Sequence, residues 1–67
     1  MKLWILYVHA TVVDAQVFAV NGTREHAINF LKMNGGKHAE LFEVSVGGLP
    51  GKMVAVIVDG EFTEFKR

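Results

Sequence analysis

The sequence predicts an α+β fold: a single helix packed on an antiparallel-rich sheet of four to five strands, in the order β-β-α-β-β(-β). Three observations carry that reading. Lys2–Ala10 is dense in branched and aromatic residues, as a strand requires. The stretch from Thr23 to Gly36 changes to a helical period and carries a stop signal at its end. Asp59-Gly60, the favoured dipeptide of a two-residue hairpin, separates two strand-like segments.

The first strand is apolar at both parities. Leu3, Ile5 and Tyr7 point one way, and Trp4, Leu6 and Val8 the other. A strand of this kind is either covered on both faces or lies in an interface. Thr11–Asp14 reads as a connection and Gln16–Val20 as the second strand, paired with the first as a hairpin. Thr23 is an N-cap residue, Glu25 puts negative charge in the first helical turn, and Ala27, Phe30 and Leu31 form an apolar stripe beside Ile28. With Asn34-Gly35-Gly36 as the stop, the helix spans roughly 24–33.

Glu40–Val46 alternates, with Phe42, Val44 and Val46 expected inward and Glu43 and Ser45 outward. The run 47–51, rich in glycine with one proline, reads as a turn. Lys52–Val58 follows as a strand apolar at both parities, and Glu61–Phe65 as a short last strand. Trp4, Phe18, Phe30 and Phe42 fall at positions expected to be buried.

The 67 residues make one domain, 1–67, and a chain this short buries only about 60% of its unfolded surface. There is no cysteine, which excludes disulfides, thiolate metal sites and thiol nucleophiles and fits a cytoplasmic, reducing compartment. Residues 3–8 are too short for a signal core or a membrane span and have no small-residue cleavage pattern after them. Asn21-Gly22-Thr23 matches a glycosylation acceptor, but the same residues serve as the entry to the helix.

Seven Lys and Arg balance seven Asp and Glu, so there is no general attraction for nucleic acid or acidic membranes. Lys2, Lys52, Lys66 and Arg67, with Tyr7 or Phe62 as a stacking surface, are the residues available to a single-strand nucleic-acid binder, the third-ranked reading.

Chemistry has little to work with. His9, His26 and His38 are the neutral-pH proton carriers, and no two of them have metal-ligand spacing. Ser45, the one serine, sits on a strand rather than at a nucleophile elbow. Gly47-Gly48-Leu49-Pro50-Gly51-Lys52 superficially resembles a phosphate loop. Its spacing is one residue short, Met53 stands where a Ser or Thr would hold magnesium, and a strand follows instead of a helix. No catalytic residue, metal site or cofactor is expected, and the chain is read as a non-enzyme.

The apolar excess is the feature that carries a functional expectation, since 51% of the residues are hydrophobic. One helix covers one face of a sheet, so the other face is expected to meet a partner. The residues assigned to that interface are Trp4, Leu6 and Val8 on the first strand and Met53, Ala55 and Ile57 on the fourth. The expected function is a small protein-interaction module acting as a homodimer, of the kind used by microbial or phage inhibitor and adaptor proteins. The alternative is a binder of a small ligand, an anion or nucleotide, in a pocket between subunits, with His9, Arg24, His26 and His38 as the polar ligands.

Overall fold

The computed structural model describes residues 2–9, 15–44 and 50–65. Strands β1 (Lys2–His9) and β2 (Ala15–Gly22) lead into helix α1 (Arg24–Asn34), followed by β3 (Ala39–Val44), β4 (Pro50–Val58) and β5 (Glu61–Glu64). All strands pair antiparallel in one sheet of order β2-β1-β3-β4-β5. The predicted class and element order hold.

The topology explains where the helix lies. β2 and β3 both run antiparallel to β1 and flank it, so they run in the same direction. A tight turn cannot join two strands that run the same way, and α1 makes the return across the sheet. Thr23 caps the helix, its hydroxyl accepting from the His26 N–H at 3.1 Å. Ala27, Ile28 and Leu31 face down onto the sheet, with Phe30 packed beside them.

Beneath α1 the core is Trp4, Leu6 and Val8 of β1, Val20 of β2, Ala39 and Leu41 of β3, and Val54, Ala55 and Ile57 of β4. The Trp4 indole N–H donates to the Gly22 carbonyl at 3.0 Å, which satisfies the one polar atom of the largest buried side chain. At the far end of the helix the chain passes close to the sheet. A Cβ on Gly35 would stand 2.6 Å from the Leu31 carbonyl oxygen and 2.9 Å from Ile57 Cδ1, so only glycine fits there.

The Asp59-Gly60 hairpin is present, with φ of 52° and 81°, the left-handed pair that a type I′ turn requires. The Gly60 N–H donates to the Lys37 carbonyl at 3.0 Å, tying this hairpin to the segment between α1 and β3. From the helix, Arg24 donates to Glu64 at 3.1 Å and to the Phe65 carbonyl at 2.6 Å, and Lys32 lies 4.6 Å from the centre of the Phe62 ring.

Three expectations need correction. Pro50 and Gly51 belong to β4, not to a turn, because Pro50 already pairs with Val44. In β3 the inward parity is Ala39 and Leu41 rather than Phe42 and Val44: Leu41 is set opposite Leu6 in the core, which turns Phe42 to the other face. Most of the predicted interface, namely Trp4, Leu6, Val8, Ala55 and Ile57, is buried under α1. Both parities of β1 and β4 are apolar, so periodicity does not say which of them the helix covers. The Thr11–Asp14 connection, Ser45 and Val46, the Gly47–Leu49 part of the predicted turn, and Lys66 and Arg67 lie outside the described residues.

Candidate functional site: the sheet face opposite the helix

Odd-numbered residues of β1 define the second face. Among the described residues no element lies over it. The cross-strand pairs arrange it in rows. Val17, Tyr7, Glu40, Val56 and Thr63 form one row across all five strands. Ala19, Ile5, Phe42 and Met53 form the next. Tyr7 and Phe42, diagonal neighbours on the adjacent strands β1 and β3, meet edge to face with ring centres 5.5 Å apart. Leu3, Val17 and Val58 are 37%, 59% and 52% exposed, and Ile5, Tyr7, Phe42, Val44, Met53 and Val56 are half-buried by one another.

Polar groups sit mainly around this surface. Asn21 and Thr63 lie on the outer strands, and Glu61 follows the hairpin. His9, at the end of β1, approaches Glu40 at 3.3 Å, which places the one carboxylate of the inner rows against an imidazole. Of the residues predicted for the interface, Met53 alone lies on this face, opposite Phe42. Ile5, Tyr7, Val17, Phe42, Val56 and Val58 were not assigned to it from sequence. The signal available for Ile5, Tyr7, Val56 and Val58 is the double apolar parity of the first and fourth strands.

The four predicted ligand residues do not converge. His9 and His38 meet at one end of the sheet, where the His9 N–H donates to the His38 carbonyl at 2.9 Å and His38 lies 3.5 Å from Asp59. Arg24 and His26 stand at the other end, because the helix begins beside Lys2 and ends beside His9. Arg24 is already engaged by Glu64 and the Phe65 carbonyl. Among the described residues no group of three potential metal ligands assembles, and no buried side-chain polar atom lacks a partner. Tyr7, the candidate stacking residue, is set beside Glu40 rather than a cation, and a carboxylate there repels a phosphate backbone. Phe62 lies on the helix side under Lys32.

No helix among the described residues is long and apolar enough to cross a membrane. Comparison with known proteins finds no matching family, curated protein or solved structure.

Proposed function

We propose that this chain is a non-enzymatic, self-associating interaction module whose contact surface is the sheet face opposite α1. The observation that carries the reading is a five-stranded sheet with apolar side chains on both faces and one helix among the described elements to cover them.

Size and charge both favour a second copy as the occupant. Five strands about 4.8 Å apart and seven residues rising about 3.3 Å each give a face of roughly 450 Å² in projection. Corrugation by side chains brings its accessible area toward the ~800 Å² per partner of a standard interface. The chain carries no net charge, so two copies approach without long-range repulsion. A two-fold contact centred on Ile5 and Phe42 stacks sheet on sheet, about 10 Å apart, with the Glu40 carboxylate held against His9.

Light scattering during size exclusion at micromolar concentration tests the proposal. The wild-type chain is expected to elute as a multiple of 7.4 kDa, and Ile5→Lys as a folded species of lower mass. A wild-type monomer, or a mass that Ile5→Lys does not change, contradicts it.

A further inference from the structure

The two edges of the sheet are built differently. β5 is four residues long and carries Glu61 and Glu64. Arg24 of α1 bonds the Glu64 carboxylate and the carbonyl of Phe65, the residue that follows β5. Short length and charged side chains are among the means by which proteins close a sheet edge. β2, the opposite edge, has neither. Its eight residues, Ala15–Gly22, include no Lys, Arg, Asp, Glu or Pro. It pairs with β1 over eight consecutive positions, from Lys2↔Gly22 to His9↔Ala15, without a bulge. Among the described residues its hydrogen-bonded neighbour is β1 alone. Half of its N–H and C=O groups therefore point away from the sheet in a straight, regular row.

We infer that β2 is a strand-pairing site and that its partner is β2 of a second copy, run antiparallel about a two-fold axis. Pairing two copies of one edge satisfies both rows at once and leaves β5, the blunted edge, at each outer end of a ten-stranded sheet. An uncharged strand meets its own copy without like-charge pairs, which would oppose pairing of a charged one. The geometry also continues the apolar face. Val17 and Ala19 belong to that face and lie on β2, so two open faces joined along β2 form one surface on the same side. The inference uses backbone groups at the edge, whereas the proposed function uses side chains on the face, and the two contacts are compatible in one assembly.

Amide hydrogen exchange of the full chain, read residue by residue by NMR, tests it. A free edge strand has alternate amides that exchange rapidly, because only every second N–H bonds β1. The inference predicts that all amides from Gln16 to Asn21 are slow at high micromolar concentration, and that the outward half become fast on dilution as the mass falls by half. Alternate fast amides at every concentration overturn it. Ile5→Lys separates the two contacts: it removes the face contact and leaves the β2 amides protected. Loss of that protection in a folded Ile5→Lys protein overturns the edge inference.

Proline supplies the second arm. Of the adjacent changes Gln16→Pro and Val17→Pro, one removes an N–H bonded to β1 and the other an outward N–H. The outward variant is expected to stay folded, halve the mass and expose the remaining outward amides. The same mass and protection as wild type in that variant overturn the inference.

Discussion

The two faces of the sheet use nearly the same side chains and meet different fates. On β1 the sequence alternates Trp4, Leu6 and Val8 with Leu3, Ile5 and Tyr7, and either set is apolar enough for a core. The first set is 0–6% exposed beneath α1, whereas the second is half-buried or exposed. What separates them is the rest of the fold. On the helix side Leu6 stands between Phe18 and Leu41, and Leu31 descends from above. On the open side Tyr7 stands between Val17 and Glu40, and Ile5 between Ala19 and Phe42. Composition alone makes a face sticky, and placing a helix on one face makes the other available for recognition.

Lysine substitutions at neighbouring positions give the largest contrast. Leu6→Lys puts an ammonium at a fully buried site with no carboxylate opposite, and is expected to abolish folding. Its effect should exceed about 4 kcal/mol, against a total stability of roughly 3–10 kcal/mol for a chain of this length. Ile5→Lys, one residue away, should leave a cooperative melt and remove the contact through the open face. Circular dichroism melts of the pair check this, and equal damage from both would break the distinction between the faces.

Gly35→Ala comes next. The added Cβ meets the Leu31 carbonyl and Ile57 Cδ1, so the end of α1 must lift from β4, at about 1–3 kcal/mol. An unchanged denaturant midpoint would mean that the helix does not approach the sheet so closely. Gly60→Val should destabilise by about 1–2 kcal/mol, and for a different reason. Nothing lies within 4 Å of the added Cβ, so the loss comes from the positive φ alone. Thr23→Ala removes the hydroxyl that caps α1 and should lower stability by about 1 kcal/mol in the same urea titration.

The helix and the last hairpin were legible because each is specified locally. Thr23, Glu25 and the spacing of Ala27, Ile28 and Leu31 define α1 within its eleven residues and their cap, and the helix ends one residue later than expected, at Asn34. Asp59 and Gly60 specify their turn by backbone preference alone. The assignment of faces was not legible, because it is a property of register between distant strands. Leu41 goes inward because it pairs with Leu6, thirty-five positions earlier, and nothing within β3 records that pairing. Glu43 misleads in the same strand. It has the parity of the core but sits at the rim, where Lys2 reaches it at 2.6 Å, so a charge that looks like an outward marker lies on the helix side. Irregular register at Leu41/Phe42 and Phe42/Val44 further breaks the alternation that sequence reading depends on. The residues predicted for the interface therefore lie, Met53 excepted, on the side that α1 covers.

Methyl relaxation by a soluble paramagnetic agent tests most directly whether the open face is covered in solution. Leu3, Val17 and Val58 report on that face, and Met33, 83% exposed on the outer side of α1, is the internal reference for a methyl that water reaches freely. The account predicts that at micromolar concentration the methyls of Leu3, Val17 and Val58 in the wild-type protein are shielded well below Met33, and that Ile5→Lys raises them toward it. Relaxation of all three, scaled to Met33, that is the same in the wild-type protein and in Ile5→Lys would mean that the face meets only water, and would contradict the account.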